Sequence, residues 1–385
     1  MNILVVLCRN PYAVNDGANY AIRSALAMLA AFADVSVVGY GDEFIVSSIG
    51  PYPCLGSLAR SNNSALSFAR CLVLRKSYMQ EKYSSCEAVR NLNSVLDAAP
   101  QVSHVWFEQT QSAMILSRLP QLNIEGKKLI LRPHNIESKV VGEIAGSNYF
   151  KRMALRMEAA ALVKAEARIF RAVDFVLPIS DLDVSEVRKV CSLDKVHYLP
   201  VVPLTTDYKY CIDSNENGDE LLFVGAADWG PNFQAIKWMR DALAPYLLKY
   251  FPQVSINIVG RGTDQFGALS TTATNIRFLG YVDDIDAFYG RCLAALAPVQ
   301  SGSGVNIKVI EALSRGVPVL GSKFAARGTR SELFLECENP SDYRRYLDEL
   351  LNGRFNFIDR VNYAHKFTKE AKDSAQFVLE SILRD

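Results

Sequence analysis

The sequence predicts an α/β protein built from two successive doubly wound domains. Short, continuous, β-branched apolar runs of strand length alternate with stretches of helical periodicity, the pattern of a parallel sheet covered by helices on both faces. The alternation starts afresh after a proline-punctuated stretch at residues 199–204, and 385 residues are enough for two cores of ordinary domain size.

The elements follow in order. Residues 3–7 are an uninterrupted apolar run and read as a strand buried on both faces. A polar loop, RNPYAVNDGAN, leads to an apolar helical stretch at 20–32 and a short strand at 35–38, a βαβ start that implies parallel pairing. Strands at 105–107, 129–131 and 175–178 continue the first series. The second series has strands at 221–224, 255–259, 276–278, 294–297 and 317–320, with helical segments between them. Ligands of such sheets sit beyond the carboxyl ends of the strands, so two facing sheets would place them in an interdomain cleft.

Composition narrows the function classes. Hydrophobic residues are 49% and charged residues 22%, the balance of a globular protein. Lys and Arg total 42 against 41 Asp and Glu, and a net charge of +1 argues against a dedicated nucleic-acid binder. The eight cysteines are scattered singly with no CxxC pair, so they read as thiols in a reducing compartment rather than as zinc ligands. The N-terminus lacks the basic start of a signal peptide, and no stretch approaches the ~20 apolar residues of a membrane span. The expected location is therefore cytoplasmic, with peripheral attachment at the inner face of the membrane left open. The stretch 58–85 bears on that point. It interleaves Arg60, Arg70, Arg75, Lys76 and Lys82 with Phe68, Tyr78 and Tyr83, and suits either a solvated helical face or a membrane-surface or acceptor-docking patch. The basic helix at 151–171, offset by Glu158 and Glu166, reads as a solvated face.

The chemistry is most legible in PVQSGSGVNIKVIEALSRGVPVLGS, residues 298–322. A strand ends at Pro298, a loop with Gly302 and Gly304 follows, and a helix opens near Val305. Glycines let backbone approach a ligand closely, and the amides of a helix start suit a phosphate. Lys308 lies one turn on and can add a point charge to the same phosphates; Glu311, at i+3 on the same face, can accept ribose hydroxyls. The alternative is a β-to-α turn with no ligand. Asp181 and Asp183 have the spacing of a metal-binding Asp-x-Asp, but their setting after PIS favours helix capping.

The segment SGSGVNIKVIEALSRGVPVLGS resembles the donor-binding signature of the GT-B glycosyltransferases, specifically the retaining family four, or group 1. The usual pattern there is Glu, seven residues, Glu. Glu311 matches the second position and Ser303 occupies the first, as in a variant reading Gly-Ser-Gly followed by Lys. The resemblance covers most of the chain. In FVGAADWGPNFQAIKWM it implies that Gly225 and Asn232 face the donor, with Trp229 either a core anchor or a ligand residue. In IVGRGTDQFGAL and NIRFLGYVDDIDAFY it implies a role for Arg261, Tyr281 and Val282 near the nucleotide base. Ser303, Gly304, Val305 and Asn306 would take the transferred sugar and its phosphates. In the first domain, Gly17 lies in the loop that meets the sugar phosphate, and LRPHNIES resembles the motif whose histidine, here His134, contacts the donor sugar.

The resemblance implies a fold of two Rossmann-like domains: residues 1–202 on the acceptor side, with a helix of about 362–385 packing back on it, and residues 203–361 binding the nucleotide sugar. It implies metal-independent hexosyl transfer with retention from a nucleotide-diphosphate sugar, without a cofactor, to a glycan, lipid-linked or protein acceptor in surface polysaccharide or glycoconjugate synthesis. His134, Lys308 and Glu311 would be its catalytic residues. A nucleotide-sugar epimerase or a non-catalytic sugar-nucleotide-binding protein would share the architecture. A dehydrogenase is disfavoured because the first βα turn lacks Gly-x-Gly-x-x-Gly.

Overall fold

In a computed structural model of the protein, describing residues 1–61, 64–144, 149–204, 219–268, 273–301 and 304–384, the apolar runs form two parallel-dominated sheets. By its contacts the chain divides into Met1–Val202 with Ser374–Asp385, and Pro203–Asp373.

The first unit runs β1 (Asn2–Leu7), α1 (Gly17–Ala30), β2 (Asp34–Tyr40), β3 (Ser48–Ile49), β4 (Tyr52–Leu58), α2 (Ala65–Val73), α3 (Tyr78–Tyr83), α4 (Cys86–Ala98), β5 (His104–Glu108), β6 (Lys128–Arg132), α5 (Glu137–Glu143), α6 (Tyr149–Ala172), β7 (Phe175–Val176) and α7 (Asp181–Val187). Its strand order is β3-β4-β2-β1-β5-β6-β7, parallel except for the β3–β4 pair. β1 is central, and Ile3 to Leu7 are all fully buried because helices cover both faces. Alternation along it divides the core. Leu4 and Val6 pack with Leu92 of α4 and Ile169 of α6, whereas Ile3, Val5 and Leu7 pack with Ile22 and Leu26 of α1.

The second unit runs β8 (Glu220–Val224), α8 (Gly230–Trp238), α9 (Ala244–Tyr250), β9 (Ser255–Val259), β10 (Ile276–Gly280), α10 (Asp286–Tyr289), β11 (Cys292–Ala297), α11 (Ile307–Ser314), β12 (Val319–Gly321), β13 (Phe334–Glu336), α12 (Pro340–Leu351) and α13 (Phe357–Leu383). Its order, β10-β9-β8-β11-β12-β13, is parallel throughout. α13 begins in this unit and ends in the first, where Ala375, Val378, Leu379 and Ile382 join the core around Ile3 and Leu26.

Every strand expected from the sequence is present, and β3, β4 and β13 are additional. β4 escaped because YPCLGSL carries Pro53 and Gly56, which punctuate turns, and because it is only half buried. α1 starts at Gly17, with Asp16 capping the Asn19 amide at 2.9 Å, and α11 starts at Ile307 rather than Val305.

The basic residues of α6, Lys151, Arg152, Arg156, Lys164, Arg168 and Arg171, are exposed as expected, but its two acids do not share that solvated face. Glu158 and Glu166 are both buried, and each serves a neighbouring helix. Glu158 accepts from the Ser77 hydroxyl and the Tyr78 and Met79 amides at 2.8–3.1 Å; Glu166 accepts from the Glu137 and Ser138 amides at 2.6 and 3.3 Å. One helix thus satisfies the orphan first-turn amides of two others, α3 and α5. Among the described residues, no helix is long and apolar enough to cross a membrane.

Candidate functional site

In the second unit the loops after β8, β9 and β10 are laced together by backbone bonds: Gly225 N to Val259 O at 2.8 Å, Ala227 N to Arg261 O at 2.9 Å, and Gly260 N to Gly280 O at 2.8 Å. Glycine is required at the crossing. Gly260 has φ +144°, and a Cβ there would fall 2.3 Å from the Gly225 carbonyl oxygen. Gly225 is crowded in turn by Asn232, whose Nδ2 would lie 2.8 Å from a Cβ. That crowding holds the Asn232 amide, which donates to Ala226 O at 3.0 Å and accepts at Oδ1 from Lys308 Nζ at 2.7 Å.

Lys308 is thereby placed. It projects from the first turn of α11 over the Phe223 ring, 4.0 Å from the centroid, and its ammonium donates to a neutral amide, Asn232 Oδ1. Burial pushes its ammonium down to about 7, against the opposing charge of Glu311 one turn along. The cap residue of α11, Asn306, makes no side-chain cap bond; its carbonyl takes the Val309 amide at 2.9 Å, so the cap side chain does not compete for the amides of Ile307 and Lys308, and Gly304 turns the incoming chain with φ +72°. Asn306 Nδ2 reaches Ala325 O at 3.5 Å instead. The arrangement can bind an anion: a glycine-lined approach, a helix start and a half-buried lysine converge within one unit.

The structure therefore brings Gly225, Asn232, Lys308 and Glu311 together, with Gly304, Val305 and Asn306 leading into the same helix. Ser303 lies outside the described residues. Arg261 stands beside this group through its backbone bond to Ala227, but its side chain pairs with Asp228 at 2.9 Å where both are more than half exposed, a surface pair of small energetic value. Tyr281 is 59% exposed, whereas Val282 packs against the core under β11 and α11. Trp229, at the N-cap of α8, is 48% exposed, so it is no core anchor. Phe223 was missed; as the penultimate residue of an apolar strand it carries no sequence signal beyond core.

In the first unit His134 belongs to a buried charge network that the sequence did not reveal. Glu108 ends β5 and Arg132 ends β6, paired across the register, and both are fully buried. Glu108 Oε1 accepts from Arg132 Nη1 at 2.7 Å and His134 Nε2 at 2.6 Å, while Oε2 accepts from Trp106 Nε1 at 2.7 Å. Burial opposes the ionisation of Glu108, but the Arg132 charge and the bonds from His134 and Trp106 prevail and hold it below the usual carboxylate range. His134 is lowered, mainly by burial, with Glu108 opposing. A neutral imidazole beside an ionised carboxylate must donate from Nε2, so Glu108 fixes the tautomer. Arg132 Nη1 also reaches the Ala21 carbonyl at 3.3 Å, tying the network to the helix that Gly17 opens. The available signal was a charge closing each of two apolar strands, VWFE and LILR. Beyond His134, Glu137 is buried and pushed up to about 7, first by burial and then by Glu166. Among the described residues, no three His, Cys, Asp or Glu side chains are grouped to hold a metal ion.

Residues 218–353 match the family described as "Glycosyl transferases group 1". Over its full length the chain is 23% identical to an "Uncharacterized 44.6 kDa protein in cps region" of Klebsiella pneumoniae, with 99% of that protein covered. The fold is similar to that of Anabaena HepE, solved in complex with UDP and glucose, at a TM-score of 0.66 and 12% identity, and to sucrose-phosphate synthase of Thermosynechococcus elongatus at 0.67 and 13%; all of each chain is covered in both cases. The fold is thus GT-B, with two Rossmann-like α/β units.

Proposed function

We propose that the protein is a glycosyltransferase that moves a hexosyl group, with retention and without a metal, from a nucleotide-diphosphate sugar to a glycan or lipid-linked acceptor. The observation that carries this reading is Lys308, held by Asn232 and Phe223 at the start of a helix with no side-chain cap. An ammonium seated there on a neutral amide suits a diphosphate, and stabilising that diphosphate as it leaves is the main catalytic demand on the residues of such a site. The match over residues 218–353 supports assigning the donor to the second unit, and the UDP bound by HepE supports a nucleotide diphosphate as its anchor. The relative from a cps region supports surface polysaccharide synthesis as the setting.

In this reading Lys308 and the first-turn amides of α11 take the leaving diphosphate, Glu311 takes ribose hydroxyls, and Tyr281 and Val282 flank the base. The departing phosphate oxygen removes the acceptor proton. His134, with Nε2 committed to Glu108, would contact the donor sugar rather than act as an obligatory base. Residues 1–202 with the end of α13 take the acceptor, and the protein works in the cytoplasm. The test is calorimetric binding of UDP-, GDP-, ADP- and TDP-sugars to the wild type and to Lys308→Ala. One donor should bind selectively, and the substitution should weaken it by at least about tenfold, the loss of one charge-assisted contact. Unchanged affinity in folded Lys308→Ala would sink the reading.

A further inference from the structure

At the carboxyl edge of the first sheet, near the His134 network, positive charge is gathered with little negative charge to balance it. Arg60, two residues past β4, reaches under the strand ends and donates from Nη2 to the carbonyls of Cys8 and Tyr40, the latter at 2.7 Å. The Tyr83 ring stands edge-on to Tyr40, centroids 5.0 Å apart, with the Arg60 guanidinium 5.9 Å and Lys82 Nζ 5.5 Å from its own centroid. Two cations are thus held at one ring. Among the described residues, the one carboxylate within ion-pair distance of either is Glu43, 3.9 Å from Arg60 and itself part-exposed. Arg9, just past β1, is a third cation; Asp16 at 2.7 Å balances it, and its remaining field is the smallest of those acting on Tyr83 and His134.

The cluster is electrostatically unfinished. Lys82 is pushed below the ordinary lysine value by burial and then by the charge of Arg60. Glu137 acts on the same Tyr83 ring, but its carboxyl is pushed up to about 7 and carries only part of a charge at neutral pH. Like charges brought together in a half-buried place cost free energy that an arriving anion recovers.

We propose that Arg60, Lys82 and Arg9 form an anion subsite that takes a phosphate group of the acceptor substrate. The proposal rests on the glycosyltransferase reading and narrows the acceptor to a phosphate-bearing one. With Nη2 held by the two carbonyls, Arg60 offers its delocalised charge and single N–H contacts rather than a bidentate fork, Lys82 a point charge, and Tyr83 a flat apolar wall for the sugar attached to that phosphate. A neutral glycan acceptor would leave the two cations at Tyr83 in mutual repulsion. The phosphate has two sources, a lipid-linked diphosphate or a soluble sugar phosphate.

The experiment uses the full chain carrying Lys308→Ala, so that the anion site of the second unit is removed. Inorganic pyrophosphate should still bind by calorimetry, and adding Lys82→Glu should weaken that binding by at least about tenfold while the unfolding midpoint stays in place. Lys82 makes no side-chain hydrogen bond among those described and is the safe position to change; Arg9→Gln, a second variant, should give a smaller loss. A sugar 1-phosphate and a short-chain prenyl-diphosphate sugar are then compared. Lys82-dependent binding of the first alone assigns a soluble acceptor, and of the second a lipid-linked one. Failure of pyrophosphate to bind, or binding indifferent to Lys82→Glu, overturns the proposal. The outcome is separate from the parent reading, which falls if Lys308→Ala leaves nucleotide-diphosphate affinity unchanged.

Discussion

At the scale of single residues, Lys308 ties the site to pH. Its ammonium titrates near 7 in the free protein because burial disfavours the charge. A bound diphosphate favours that charge and raises the value toward the ordinary lysine range. Above about pH 7 the complex then holds a proton the free protein lacks, so affinity falls as pH rises, by up to about tenfold per unit. Below about 7 the lysine is charged in both states and contributes no slope. Calorimetric titration at pH 8 in buffers of different ionisation enthalpy should show uptake approaching one proton per donor bound; no uptake would mean that Lys308 does not meet the phosphates. Lys308 and Glu311 were legible because i and i+3 on a helix share a face, which spacing alone reveals. Glu108 and Arg132 were not, since their pairing spans two strands and 24 residues, and nothing local in VWFE or LILR says that the two charges meet. Arg60 and Lys82 were visible only as basic residues in a mixed stretch, because what sets them apart is the shared Tyr83 ring.

At the scale of elements, the helices of the first unit depend on each other for their ends. α3 has six residues, too few to be stable alone, and Glu158 of α6 supplies the acceptor for its first turn. Replacing Glu158 by Ala leaves the Ser77 hydroxyl and two amides without that partner, and should cost about 3 kcal/mol of unfolding free energy, with Gln recovering part of it. Urea unfolding of the two variants measures the difference, and equal stability of Ala and wild type would show that these bonds are solvated anyway. The strands were read correctly where they are buried on both faces, since β-branched continuity is what such burial selects. β4 and β13 were lost for physical reasons: the former is half exposed and carries proline and glycine, and the latter has three residues. The capping of α5 by Glu166 of α6 joins positions 29 apart and leaves no periodic trace in the sequence.

At the scale of the whole molecule, the first unit is not contiguous in sequence. Leu379 and Ile382 of α13 are 1% exposed, packed into the core that holds Ile3, Leu26 and Trp106. Leu379→Ala should cost about 3 kcal/mol, and ending the chain after Asp373 should lower the unfolding midpoint further, because several buried apolar side chains are removed at once. If removal of residues 374–385 leaves the urea transition unchanged, the packing of α13 on the first unit contributes nothing to stability. The return of α13 also sets an order of events during synthesis. The residues that complete the core of the first unit leave the ribosome only after the second unit has been translated. The nascent first unit must therefore wait with the apolar seat of α13 uncovered until Ala375 to Leu383 arrive to fill it.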